Sequence, residues 1–273
     1  MAFKSAAESF RKQMFLNFKG GTGKTTLAAA YGLQLAETGR RVLFVDLDPQ
    51  GHLTKCLGVN EWQFGRTLYH VLVREARIAE VMKKLAGLEA HVVPADISLS
   101  ATDLSLNGLP YREWRLVHAL APLRRQFDVV LFDASPTISL LNLNAILASR
   151  DLIVPVLPDS LSLHGLKTLL ATLTSIETDF DHRIENVGIL LNRFLPDDAH
   201  CVDFHKRLKK IYKGHVLRTV IRYCPDLGNQ PSLDRVGARL RLEGQVLEDI
   251  RDLMKEIAPT KKRKAGERKS EGA

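Results

Sequence analysis

Apolar and polar positions follow two rhythms along this chain. Short β-prone apolar runs stand at 14–18, 41–45, 91–93, 127–132, 152–157, 187–191 and 216–221. Between most of them lie longer segments whose apolar residues recur every three or four positions, the period of a helix with one buried face. Over 25–38, Leu27, Tyr31 and Leu35 share a face and Gly39 supplies a stop. Over 242–257 the stripe is Val246, Ile250, Leu253 and Ile257. The runs VVLF and LIVPVL are apolar throughout instead of alternating. Strands buried on both faces read that way, whereas half-exposed strands alternate. The βαβα pattern therefore predicts an α/β fold, a doubly wound and mostly parallel sheet with helices on both faces.

Composition narrows the class. The 273 residues are 45% hydrophobic and 26% charged, which excludes a mostly disordered or collagenous chain. No apolar run approaches the ~20 residues needed to span a bilayer. The opening MAFKSAAESFRKQ carries Lys4, Glu8, Arg11 and Lys12 and lacks the apolar core of a secretory signal. Cys56, Cys201 and Cys224 are scattered, which argues against a disulfide framework or structural zinc and for a reducing, cytoplasmic setting. The net charge is +8, and half of it sits in residues 261–273, with six Lys/Arg against two Glu. That stretch has almost nothing to bury, so residues 260–273 are predicted as a basic disordered tail and 1–259 as a single domain. The basic balance fits nucleic acid, an acidic membrane surface or simple solubility.

The chemistry begins right after the first apolar run, at Lys19-Gly20-Gly21-Thr22-Gly23-Lys24-Thr25-Thr26. Glycines there let backbone N–H groups turn around a phosphate, and the following helix adds its N-terminal dipole. Lys24 has the reach for β- and γ-phosphates, and the Thr25 hydroxyl suits Mg²⁺. The generic phosphate-loop pattern wants glycine at position 18, where this chain has Phe18, and a lysine stands at 19.

Two acidic strand ends follow. Asp46-Leu47-Asp48-Pro49-Gln50-Gly51 closes the second run, and alternation predicts that Asp46 and Asp48 point the same way. Asp133 closes the run from Phe127. Carboxylates at strand C-terminal ends lie where α/β sheets bind ligands. Asn192 ends a later run, and its amide can donate to and accept from a base edge at once. A guanine-reading Asn-Lys-x-Asp would need Asp where Leu195 stands, which favours ATP.

KGGTGKTT resembles the deviant Walker A motif of the ParA/MinD family of P-loop ATPases, and DLDPQG is similar to that family's second signature. The segment ending at Asp133 resembles its Walker B, with Asp-Ala-Ser-Pro in place of Asp-x-Pro-Pro. The resemblance covers about 14–257 and is nearest to short, Soj-like partition ATPases. It implies a P-loop NTPase fold with ATP and Mg²⁺ as cofactors. Lys19 would reach a partner's nucleotide, Asp48 would position the hydrolytic water, and Thr25, Asp48 and Asp133 would serve the magnesium. Gly20 to Thr26 would hold phosphates and Asn192 would touch adenine. Gln50 and Gly51 would belong to the first switch loop, and the missing proline predicts a second switch loop of different stiffness.

The resemblance also implies slow ATP hydrolysis stimulated by a ParB-like or cargo-adaptor protein, and a homodimer when ATP is bound. Non-specific DNA binding would then place a plasmid, chromosome or large assembly, with the protein cytoplasmic and nucleoid-associated. Residues 204–225 carry seven Lys/Arg and no acid, a pattern suited to phosphate contacts without sequence readout. Thr219-Val220-Ile221-Arg222 is similar to the family's Thr-x-Ile-Pro-Arg stretch, which makes Arg218 and Arg222 the expected DNA contacts. The thirteen residues before the first run leave no room for a helix-turn-helix module. Residues after Pro259 lack the apolar face that a membrane-lying helix needs, so no membrane partner is expected. A MinD-like adaptor working through membrane or protein partners is the alternative, with a dethiobiotin-synthetase-like ligase behind it. His200, Cys201 and His205 match no common zinc spacing.

Overall fold

The computed structural model describes residues 10–60, 65–225, 240 and 242–258. The proposed tail over 260–273 lies outside them. Eight strands form one sheet: β1 Arg11–Phe15, β2 Val42–Asp46, β3 Lys83–Lys84, β4 Ala90–Val93, β5 Val129–Asp133, β6 Asp151–Val156, β7 Asn186–Phe194 and β8 Val216–Arg222. Their order is β3-β4-β2-β5-β1-β6-β7-β8, parallel throughout except for β3, which runs antiparallel to β4. The α-helices are α1 Lys24–Glu37, α2 His52–Cys56, α3 Leu68–Leu72, α4 Ile78–Val81, α5 Thr102–Ser105, α6 Arg115–Leu120, α7 Leu140–Ala148, α8 Ser160–Asp179, α9 Ala199–Ile211 and α10 Gly244–Ile257.

The apolar runs are explained by two cores, one on each face of the sheet. Met14, Leu43, Val45, Val130, Phe132, Leu152 and Val154 point to one side, under α3, α6, α7, α8 and α9. Phe15, Val42, Phe44, Val129, Leu131 and Ile153 point to the other, under α1, α2 and α10. Successive residues of one strand serve opposite cores, so most positions of the central strands are apolar. The doubly wound α/β architecture expected from the pattern is the one observed.

The strand ends differ from the sequence reading. The first strand was expected over 14–18 but runs Arg11–Phe15. Hydropathy rejects Arg11 and Gln13, yet both are buried. The Arg11 Nε donates to Asp151 at 2.8 Å, and Asp151 also accepts from the Asn186 amide at 2.7 Å. Gln13 accepts from the Tyr31 hydroxyl and donates to the Ile257 carbonyl, each at 3.0 Å. Buried polar groups are tolerated when their hydrogen bonds are met, and here the partners are 18 to 244 residues away in sequence. The two-residue β3 gave no apolar signal because it consists of lysines, residues that suit a sheet edge.

Gly32 sits where α1 crosses the sheet. A Cβ there would drive into the Phe44 ring and a Leu131 methyl, both fully buried. Alanine is the better helix former by ~1 kcal/mol. Overpacking a dense core costs about 1–3 kcal/mol. Gly32→Ala should therefore lower the urea unfolding midpoint, and a raised midpoint would contradict this contact.

Candidate nucleotide site

The site lies where the C-terminal ends of β1, β2 and β5 meet the start of α1. Gly21 and Gly23 adopt positive φ, +73° and +91°, so the loop can curl back before the helix begins at Lys24. A Cβ on Gly23 would strike the Asn192 amide as well. The first turn of α1 leaves N–H groups without helical partners, the usual basis of a phosphate seat.

Lys24 is buried and its ammonium donates to the Lys19 carbonyl at 3.2 Å. Burial pulls its pKa below the ordinary lysine value, while the carboxylates of Asp133 and Asp48 favour the charged form. Lys19 turns away from the loop. Its ammonium meets Asp159 at 2.6 Å and the Ser162 hydroxyl at 3.5 Å. Asp159 caps α8 by accepting from the Ser162 N–H at 2.8 Å. Burial alone would raise the Asp159 pKa, but Lys19 and the cap hydrogen bonds hold it below the usual carboxylate range.

Asp46 and Asp133 lie side by side in the β2–β5 register, and both are fully buried. Burial pushes Asp46 up to about 6, against the favourable hydrogen bonds from Thr54 and Asp48. Asp133 is raised well above the carboxylate range by burial and then by the neighbouring Asp46 charge. Thr25 and Lys24 oppose that rise, but neither Asp133 oxygen has a partner that meets hydrogen-bond geometry. Such an orphaned buried carboxylate, beside a threonine hydroxyl and a phosphate loop, fits a magnesium ion with its waters.

Alternation predicts that Asp46 and Asp48 point the same way, but the strand stops at Asp46 and the two differ in burial. Asp46 turns inward and spends both oxygens on the protein. Asp48 stays partly open at the mouth, accepting from the Gln50 N–H at 2.9 Å and lying 3.2 Å from the His52 ring.

The matches to known proteins follow this geometry. A family model described as an AAA domain matches residues 11–186. The cell division protein PomZ of Myxococcus xanthus is 44% identical over 225 residues, 82% of this chain and 70% of that protein. The sporulation initiation inhibitor Soj of Bacillus subtilis is 31% identical over 242 residues, 89% of this chain and 96% of that protein. The chain belongs to the ParA/MinD family of P-loop ATPases. Two solved structures share its fold. Cobyrinic acid a,c-diamide synthase of Mycobacterium smegmatis, with bound ATP analogue and magnesium, has a TM-score of 0.77 and 29% identity, covering 89% of this chain and 92% of that one. The ATP complex of a Cyanothece McdA variant has a TM-score of 0.82 at 20% identity, covering 94% and 99%.

Within this ParA/MinD chain three expected sites carry unexpected contacts. Asn192 donates to the Thr22 carbonyl at 2.9 Å and accepts from the Arg193 N–H at 2.9 Å, so it buttresses the phosphate loop. The second acidic loop, which lacks a proline, is gathered by Asn142, whose amide donates to the Ser135 and Thr137 carbonyls at 2.8 and 2.6 Å. Arg222 is drawn into α10: its side chain lies 2.6 Å from Asp249 and 3.5 Å from Glu248. Arg218 is exposed, with Glu256 at 3.6 Å. The remaining cations of 204–225 are Lys206, Arg207, Lys209, Lys210 and Lys213. All five are exposed, and none has an ion-pair partner among the described residues. The unpaired positive charge of this region thus lies on α9 and just after it, while Arg222 is held by α10 and the exposed Arg218 faces Glu256.

His200 lies 3.0 Å from the Pro158 carbonyl and Cys201 donates to Asp198 at 3.4 Å. Among the described residues no His, Cys, Asp and Glu group is arranged to hold a metal directly. Sequence reasoning missed Thr54, Asp159 and Ser162. Asp159-Ser160-Leu161-Ser162 had a legible helix-cap pattern, but nothing local indicated its lysine partner.

Asp133→Asn should raise the melting temperature of the nucleotide-free protein. The parent's raised carboxylate pKa makes ionisation unfavourable in the folded state, a cost absent below the unfolded value and growing as pH rises through the folded one. The gain should therefore be larger at pH 8 than at pH 5, as read by thermal melts. Weaker magnesium-dependent ATP binding should accompany it.

Proposed function

We propose that this protein binds Mg-ATP, dimerises around two nucleotides, holds DNA without sequence preference, and hydrolyses ATP slowly to segregate or position a cargo. The observation that carries this reading is the buried Lys24, whose ammonium donates to the Lys19 carbonyl of the phosphate loop and is favoured by the charges of Asp133 and Asp48. Gly20 to Thr26 wrap the phosphates, with Lys24 as their fixed cation. Bound magnesium neutralises phosphate charge, and Thr25, Asp133 and Asp48 are the residues that would hold it and its waters. Asp48, open at the mouth, orients the attacking water. Lys19 is the cation offered across a dimer, and its contact with Asp159 is the place it leaves on pairing. A cleft of about 350 Å³, lined by Leu157, Pro158, Arg193, Leu195 and Tyr223 among others and next in sequence to Asn192, has room for adenine.

The DNA-holding surface in this reading is α9 and the residues just after it, where Lys206, Arg207, Lys209, Lys210 and Lys213 can replace counterions on a phosphate backbone. Loss of the γ-phosphate would release the loops around Asp48 and Asp133 and reset the weak-binding state. A stimulating partner of the ParB or cargo-adaptor kind would set the pace. Action on DNA would keep the protein at the nucleoid.

Retention on DNA should be strong with ATP and weak with ADP or no nucleotide, and should fall steeply with salt. Equal retention in all three states would remove the switch, and ATP-dependent lipid or protein binding without DNA affinity would favour the MinD-like alternative. Replacing Lys206 and Lys210 by Ala should lower the salt slope by roughly one unit each. The same change at Arg222 should have little effect. Asp48→Ala should abolish hydrolysis while leaving ATP-dependent dimers, measured by phosphate release and light scattering.

A further inference from the structure

Thr54 lies in α2, outside both acidic signatures, and is almost fully buried. Its N–H donates to Asp46 Oδ2 at 2.8 Å, and its hydroxyl donates to the same oxygen at 2.7 Å. That hydroxyl accepts from the Ala95 N–H at 3.2 Å. The other Asp46 oxygen accepts from the Asp48 N–H at 3.1 Å. Four bonds thus tie the end of β2, the backbone of Asp48, the start of α2 and the segment after β4 to one carboxylate and one hydroxyl. Gly51 closes the same loop. Its N–H donates to the Asp48 carbonyl at 2.8 Å, its φ is +62°, and a Cβ would press on the Ala95 carbonyl at 3.0 Å.

We propose that Thr54 is the positioning residue for Asp48, holding it in reach of the attacking water through Asp46 and Ala95. This rests on the reading above that Asp48 orients that water. Asp46 cannot take this part alone. A carboxylate only accepts, so it needs donors fixed elsewhere, and Ala95 contributes an N–H that Asp46 does not reach. The Thr54 hydroxyl is the one group in this network that both donates and accepts. Valine has the same shape without either capacity, leaving the Ala95 N–H without its partner and Asp46 Oδ2 with one donor fewer. Productive geometry tolerates only about 0.5 Å and 10–20° of error. A displacement near 1 Å costs on the order of 100-fold in rate.

The test is steady-state ATP hydrolysis by the full chain with magnesium, for Thr54→Val and Thr54→Ser. The expected result for Thr54→Val is a kcat lowered roughly 10- to 100-fold with KM for ATP within about threefold. Thr54→Ser, which keeps the hydroxyl, should recover most of that loss. Hydrogen–deuterium exchange should quicken over 47–58 in Thr54→Val and stay unchanged over α1 and α7. A Thr54→Val enzyme that turns over like the parent, or a serine variant as slow as valine, would overturn the proposal. Unchanged exchange over 47–58 would overturn it too. If Thr54→Val does not fold, Thr54→Ala is judged by the same criteria. A parent without turnover would defeat the ATPase reading, while the exchange measurement would still decide whether Thr54 holds the loop.

Discussion

Two carboxylates fully buried on adjacent strands are the constraint around which this site is built. Asp46 and Asp133 stand opposite each other at the C-terminal ends of β2 and β5. Left alone, each would raise the other's cost of ionisation. The fold resolves the conflict unequally. Asp46 is satisfied by the protein itself, through Thr54 and Asp48. Asp133 keeps both oxygens without partners that meet hydrogen-bond geometry and is eased by the nearby Thr25 hydroxyl and the buried Lys24. One carboxylate therefore organises a loop, and the other stays available to a ligand. A site tuned this way carries its instability until charge arrives to relieve it, a familiar tension between stability and function.

The opposite end of the sheet shows how a similar problem looks when no ligand is involved. Asp151 at the start of β6 is equally buried, but Arg11 and Asn186 bond both of its oxygens. A buried pair of this kind adds little net stability, yet breaking it by removing one partner costs about 3–5 kcal/mol. It fixes where β1 begins and aligns β1 with β6 and β7. Because the strand is placed at that end, the phosphate loop emerges at the other end beside Asp133.

Charge on the surface is sorted as carefully as charge in the core. The acids of α10 take up Arg222 and face Arg218, while α9 keeps its cations unpaired. Lys19 has a carboxylate partner within its own chain at Asp159. In the proposed dimer, Lys19 would have to give up this contact to reach a partner's phosphate, so the two states would compete through one ammonium.

The layers of the fold were legible from the chain alone, because continuous apolar runs are what a sheet covered on both faces demands. So were the phosphate loop and both acidic strand ends, since glycine spacing, Lys24, Asp48 and Asp133 are local chemistry carried on neighbouring residues. The strand start at Arg11 was not legible, because the residues that make Arg11 and Gln13 acceptable in a core lie far along the chain. The separation of Asp46 from Asp48, the buttressing role of Asn192 and the neutralisation of Arg222 were hidden for the same reason. Folding in three dimensions settled them: a polar side chain's role depends on which distant donors and acceptors come within about 3 Å. Periodicity along the chain carries no record of those partners.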